Sequence, residues 1–562
     1  MKKQIIITII LLAATVFITV FYFKNLNPPG TRTSRVMNAI PDDATLIFEF
    51  NNDKGFYDIF TDNKLLAAVI GKQKIGELDT LRRQLLLNPL LEQYFTGQNI
   101  YISIHPSKTN GAGLLLTVSG TGGFGPLVID QLAKQPNSGL LITPLRTGHR
   151  LGYNIYIGAL KKRFYVINNA DNIFSGSFSK ELIDQSSAYE NKKSKPSFVL
   201  LSEQQNTNSL ANLYVNYNQL TPLFDQLFKN KNTDIFKSFR LLPGLAALSL
   251  NYKTDALMFN GSTIIQLNEG AAYLNLFANQ QPVVNHLKDI FPSTTAYSMN
   301  FSVSDPLKFG ADLSTWYNKA GVKNEKERLF NKITAETGTN LQTGFNNLLN
   351  NEFAIVTTRY LEKLAIISVK DGSKLKLLLM NISKLTVENT TAANRHAKNK
   401  TNNNSSASLQ NTIEKTNDFN ENSGQFNYDK IPFFLLGDVF GVFRHPYYLI
   451  IDNYLILANS PSELASYYDS YINRKFLSKN DQYNQFDNLL TARSNVAFLL
   501  NFKNSEQILK RDLKPDIYDA FERNEPGWKN FYAASWEFTS VDKNFYTNFC
   551  MRLNTDTTLT KN

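Results

Sequence analysis

The sequence predicts an α+β protein: an N-terminal transmembrane helix followed by two duplicated, mostly antiparallel sheet-plus-helix units. Three observations carry this expectation. The first is an uncharged run of 19 residues near the N-terminus, Ile5–Phe23. The second is an abundance of aromatics, 40 Phe and 26 Tyr, set in runs that alternate with period two, the pattern of half-buried strands. The third is internal order: five motifs of the first half recur, in the same order, in the second.

The apolar run, IIITIILLAATVFITVFYF, follows a short tail of residues 1–4 that carries Lys2 and Lys3. At about 1.5 Å per residue it would extend about 28 Å, close to the thickness of a hydrocarbon core. Only Thr8, Thr15 and Thr19 interrupt it, so it has no polar face and does not read as a core helix. It ends in FYFKNLN, without the small-residue pattern of a cleavage site, which favours an uncleaved signal anchor over a cleaved signal peptide. Lys2 and Lys3 nearly balance Lys24, Arg32 and Arg35, so flanking charge says little about orientation. A short tail before a large body suits export of the C-terminal body. The expectation is a single-pass protein of the inner (cytoplasmic) membrane with a periplasmic body in the cell envelope. Residues 24–37, with Pro28, Pro29 and Gly30, read as a flexible tether.

The first repeat is expected over 38–285 and the second over 286–555, with a tail at 556–562. Ile40-Pro41 precedes DDATLIFEF, and Phe291-Pro292 precedes STTAYSMNF. Leu46, Phe48 and Phe50 thereby match Tyr297, Met299 and Phe301. Helix-like stretches follow, at 81–95 and 327–349, and lead into the hairpins 97–120 and 351–370. Strand pairs ending in a Ser-led helix start come next, at 164–182 and 447–464. LYVNY (213–217) then matches FLLNF (498–502), and closing hairpins at 250–267 and 537–553 turn at Asp255 and Asp542. The second repeat alone carries a polar segment, 384–425, in which Asn, Ser, Thr and Lys crowd out apolar residues. Burial cannot offset its ordering entropy, so a disordered insertion is expected.

The anchor, the IPDDATLIFEF strand and the twice-used strand–Ser–helix unit resemble an uncharacterised bacterial family of membrane-anchored envelope proteins with a domain of unknown function. The resemblance implies an extracytoplasmic α+β body. It implies no activity, cofactor or site residue.

Chemistry-bearing patterns are sparse. The five histidines, His105, His149, His286, His396 and His445, include no pair at i, i+4 and no HExxH. His105 and His445 precede Pro at strand ends and read as turn residues. No GxSxG elbow and no Walker A loop is present. Gly120, Gly122 and Gly125 spell GxGxxG in GTGGFG, but the strand before them closes a hairpin and no acidic residue follows near 140, so a turn is expected. Asp42 and Asp43 open the first repeat where the second has Ser293 and Thr294, and they read as turn residues. The one cysteine, Cys550, lies in the apolar TNFCMRL and reads as a buried side chain. The net charge of +11, from 59 basic and 48 acidic residues, is scattered along the chain, which argues against nucleic acid.

The sequence therefore yields no catalytic, cofactor-binding or metal-ligating residues and no cofactor. The expectation is a non-enzymatic binding or scaffolding module. Its partners would be the membrane, through Ile5–Phe23, and an envelope protein or lipid. The first alternative is an apolar or lipid ligand held between sheet and helices. The second is a hydrolase that would need His149, His286 or His445 beside a carboxylate and a Ser or Thr.

Overall fold

Alternating apolar and polar residues build the frame. A computed structural model describes residues 36–554, apart from 61–63, 108–110, 123, 137, 171, 190–208, 230–241, 243, 266–271, 386–418 and 526. It divides into two units: Met1–Asn63 with Lys74–Gln226 and Leu245–Leu250, and Lys64–Gln73 with Leu227–Gly244 and Asn251–Asn562.

In the first unit, β1 (Leu46–Asn51), β2 (Asn99–Ser107), β3 (Gly111–Ser119), β4 (Leu140–Thr147), β5 (Arg150–Ile157), β6 (Lys162–Ala170), β7 (Ile173–Ser177), β8 (Ala211–Asn216) and β9 (Gly244–Tyr252) form one sheet. Its order is β4-β5-β6-β7-β3-β2-β1-β8-β9, antiparallel throughout. The second unit holds β10 (Ala256–Ile265), β11 (Thr295–Ser302), β12 (Leu349–Thr358), β13 (Lys363–Val369), β14 (Ser383–Leu385), β15 (Ser423–Phe426), β16 (Tyr447–Ile451), β17 (Tyr454–Ala458), β18 (Val496–Asn501), β19 (Phe531–Val541) and β20 (Asn544–Leu553). Its order is β14-β15-β16-β17-β13-β12-β11-β18-β19-β20-β10, again antiparallel. From β4 to β9 and from β14 to β19 the two orders are the same, with every strand number advanced by ten.

The helices used below are α1 (Pro126–Ala133), α2 (Lys180–Ala188), α3 (Pro306–Lys319), α4 (Lys323–Thr337), α5 (Ile431–Leu436) and α6 (Pro461–Ile472). The helices α2 and α6 follow equivalent strand pairs, and each opens on a serine. The Ser179 hydroxyl accepts from the Leu182 N–H at 3.4 Å and that of Ser460 from the Glu463 N–H at 3.3 Å. Such a cap satisfies one of the amides that a helix start leaves unpaired. Leu464 and Tyr467 of α6 then cover Val356, Ile366, Leu449 and Ile456 on the sheet.

The expected transmembrane helix is not supported. Among the described residues no helix is long and apolar enough to cross a membrane. The longest of their α-helices, α4, has 15 residues, and a span needs about 20. Helix α4 is two-sided, burying Lys326, Phe330 and Ile333 and leaving charged residues on its other face. Ile5–Phe23 and nearly all of the tether lie outside the described residues, and the membrane and signal-anchor readings lose their structural basis.

The insertion expected at 384–425 is structured where it is described, at 384–385 and 419–425. Residues 386–418 lie outside the described residues, but Phe419 packs on Tyr468, with ring centroids 5.4 Å apart, and β15 pairs with β14. The segment thus joins a hairpin whose counterpart, β4–β5, turns on Gly148 and His149 alone. The compact units also differ from the sequence repeats. Strand β10 pairs with β20 in the second unit, and Leu65 and Ala68 pack there on Phe502, Phe531 and Met551.

Candidate functional site

A cleft of about 370 Å³ opens on one face of the second unit's sheet. Its floor comes from residues of four adjacent strands, β13, β12, β11 and β18, that lie on one face of the sheet. Tyr297 lies opposite Thr357, and Met299 lies between Ile355 and Phe498. Thr357 in turn lies opposite Lys363 on β13. The floor is therefore graded. Tyr297, Thr357 and Lys363 make a polar row, and Met299, Ile355 and Phe498 make an apolar row two residues along, about 7 Å away.

The roof is the segment between β15 and β16, which contains α5 and a 3₁₀ helix at Asp438–Val442. The equivalent connection in the first unit, between β5 and β6, is only residues 158–161. Phe433, Val439 and Val442 face the cleft from above, and Val322 and Glu325 close one side.

Buried tyrosines hold the roof in place. The Tyr273 hydroxyl donates to the Leu436 carbonyl at 2.5 Å, and that of Tyr317 in α3 donates to the Phe433 carbonyl. Burial holds both phenols well above their ordinary pKa, so they stay neutral donors. Gly437, at φ 108°, lies against the Tyr273 ring, where a Cβ would fall 2.0 Å from the ring's Cε2. Only glycine fits there. At the loop's base the Lys430 N–H donates to the Arg444 carbonyl at 3.1 Å, and the Lys430 ammonium pairs with Glu325 at 2.5 Å.

Two polar features stand out at the cleft. The Thr357 side chain is 1% exposed, and its hydroxyl has no hydrogen-bond partner among the described residues. Arg444 is exposed, with its guanidinium in none of the ion pairs found among the described residues. In the first unit the residues equivalent to Thr357 and Lys363 are Ile104 and Leu114, which also face each other. The fold accepts an apolar pair at these places, so the polar pair in the second unit is not a requirement of the sheet.

A second constellation lies in the first unit. His105 Nδ1 is 2.8 Å from Asp43 Oδ1, and its Nε2 is 2.8 Å from Ser103 Oγ. The pattern of serine, histidine and aspartate is that of an activated nucleophile. Its setting opposes that use. Ser103 and His105 are wholly buried, and the Ser103 hydroxyl also faces the Leu115 carbonyl at 3.3 Å. A nucleophile must meet an acyl carbon, and nothing can approach this oxygen without parting the sheet from α2. The equivalent residues in the second unit are Val356, Thr358 and Thr294.

Buried carboxylates in both units hold strands together. Glu49 accepts from the hydroxyls of Tyr101 and Tyr214, each at 2.6 Å, and from Asn99 and Asn212 at 2.7 and 3.2 Å. The second unit exchanges the pair. Asn300 stands where Glu49 does, Glu352 stands where Asn99 does, and the amide again donates to the acid, at 3.3 Å. Glu352 also accepts from the N–H groups of His286 and Leu287 at the start of a 3₁₀ helix. Glu537 on β19 accepts from the N–H and hydroxyl of Thr491, at 3.0 and 2.9 Å. Burial raises its pKa from the ordinary 4.5 to about 6.

The remaining residues named from sequence are dispersed. His149 sits exposed in the β4–β5 turn, His286 and His445 are exposed, and His396 lies outside the described residues. Among the described residues no hydrogen bond or ion pair joins the ring of His149, His286 or His445 to a carboxylate or a hydroxyl. The Gly120 N–H donates to the Asn172 carbonyl at 2.8 Å, and the strand before it pairs antiparallel on both sides, unlike the parallel unit that cradles a pyrophosphate. Asp42 accepts from Tyr189, and Asp255 pairs with Arg552 at 2.8 Å. Asp542 takes φ 49° in its turn. Cys550 is buried, and burial pushes its thiol up to about 12. Among the described residues no group of three or more His, Cys, Asp or Glu could hold a metal ion.

Sequence reasoning passed over both constellations. Ser103 and His105, two apart on one strand, share a face, which was a usable signal. The cleft left a fainter one, a Thr and a Lys where the first repeat has Ile and Leu. Comparison with known proteins finds no matching family model, no matching curated protein and no matching solved structure.

Proposed function

We propose that this chain is a non-enzymatic binding module that takes an apolar ligand between sheet and helices of its second unit. The observation that carries the reading is the cleft over Met299, Ile355 and Phe498. Its volume of about 370 Å³ lies within the usual range for small-molecule sites, and its walls are mainly apolar with a few polar groups. It exists because the second unit inserts α5 and the 3₁₀ helix where the first unit makes a short turn. The ligand reading is preferred to protein scaffolding on that ground, since a scaffold surface needs no such recess.

Titration of the full-length protein with an environment-sensitive apolar dye tests the reading. Saturable binding of one dye per chain is expected, and Ile355→Trp, which fills the cleft, should abolish it. Binding that never saturates, or that Ile355→Trp leaves unchanged, would overturn the proposal.

A further inference from the structure

We infer that the ligand of this cleft is an anionic amphiphile, a long-chain carboxylate whose tail lies on Met299, Ile355 and Phe498. The inference rests on the proposed ligand-binding function and specifies the chemistry of its occupant.

Three observations point to it. The floor is graded along the strands, from the row of Tyr297, Thr357 and Lys363 to the row of Met299, Ile355 and Phe498. A purely apolar ligand would leave the buried Thr357 hydroxyl of the first row unmatched, and a purely polar one would leave the second row so. A molecule with one polar end fits both.

The charge around the cleft favours an anion at that end. Lys363, Lys430 and Arg444 line it, against Glu325 and Asp438. Glu325 is engaged by Lys430 at 2.5 Å, and the Arg444 guanidinium is in none of the ion pairs found among the described residues. Arginine's fork of donors matches a carboxylate, and such charge-assisted bonds are the strong ones.

The Thr357 hydroxyl completes the set. It is buried, lines the cleft and lacks a partner among the described residues. A buried hydroxyl without a partner is costly, and an oxygen of the head group would satisfy it. The first unit supplies an internal comparison, because Ile104 and Leu114 occupy these positions there without loss of the strand order. The polar pair thus goes with the roofed cleft rather than with the sheet.

Dodecanoate and 1-dodecanol separate the inference from the reading beneath it. Each is titrated at mildly alkaline pH against dye bound to the full-length protein. Dodecanoate should displace the dye at least about tenfold more strongly than the alcohol, one charge-assisted bond being of that order. Arg444→Gln, an exposed position, should narrow that ratio, and Thr357→Val, which keeps the side-chain shape, should narrow it too. Equal displacement by acid and alcohol, or a ratio indifferent to both substitutions, would overturn the anionic head while leaving an apolar ligand in place. Displacement by neither would overturn the ligand-binding function itself.

Discussion

Glu537 shows what one buried acid does to stability. Its carboxyl is 2% exposed and titrates near about 6 instead of 4.5, because burial disfavours the charge more than Thr491 favours it. The folded state therefore holds this proton more tightly than the unfolded state. The resulting stability is fully present below about pH 4.5 and is lost as pH rises through about 6, a swing of about 2 kcal/mol. Glu352 shifts in the same direction, again chiefly through burial. Glu537→Gln keeps a carbonyl for Thr491 and cannot ionise. Its stability advantage over the parent, read from denaturant midpoints, should grow by about 1 kcal/mol between about pH 5 and pH 7. An advantage independent of pH would contradict this. Glu49 is the opposite design, since four donors converge on its two oxygens. Glu49→Gln turns an NH₂ toward two of those donors and should cost about 1–3 kcal/mol, checked by chemical denaturation. That Glu49 sits on a strand was legible from the alternation of Leu46, Phe48 and Phe50, but that alternation puts Glu49 on the opposite face and gave no sign of its burial. That four donors from two further strands meet there was not legible, because which distant strands pair, and in what register, is decided only as the sheet forms.

Elements explain the cleft. Both units use the same frame, and they differ in what is inserted between equivalent strands. The insertion that makes the roof stays down through hydrogen bonds from Tyr273 and Tyr317, and through Phe440 packed on Phe301 and Phe353, with ring centroids 6.3 and 5.7 Å apart. Gly437 is the point of closest approach. In Gly437→Ala a methyl group would have to enter the Tyr273 ring at a backbone angle few residues adopt, a cost of at least about 2 kcal/mol. Loss of dye affinity with little loss of global stability would mean that the roof lifts on its own. An unchanged protein would show that the contact is not tight. At this scale the sequence was informative about strands and Ser-capped helices, whose signals are local. The PFFLL run at 432–436 gave no sign of its destination, because an apolar stretch fits any apolar face.

At the scale of the molecule, non-local pairing ties the second unit together. Strand β20 lies between β19, its neighbour in sequence, and β10, almost 300 residues earlier. Cys550 sits in that strand, buried and with its thiol pushed up to about 12, so it is shielded and almost wholly protonated near neutral pH. A thiol reagent should label it no faster than the unit unfolds, at the rate extrapolated from unfolding in denaturant. Rapid labelling in native buffer would show that β20 frays independently.

The sequence by itself determined the repeating order of strands and helices, the sparseness of chemical motifs and the place where the second repeat is interrupted. All of these are written in local periodicity and composition. Tertiary structure decided the partner of β10, the convergence on Glu49, the Ser103–His105–Asp43 contact and the roofed cleft over Met299. It also gave no support to a spanning helix, since no helix among the described residues is long and apolar enough to cross a membrane. The reason is the same in each case. Period two tells a side chain which face to take, but not which distant strand, loop or charge will meet it there.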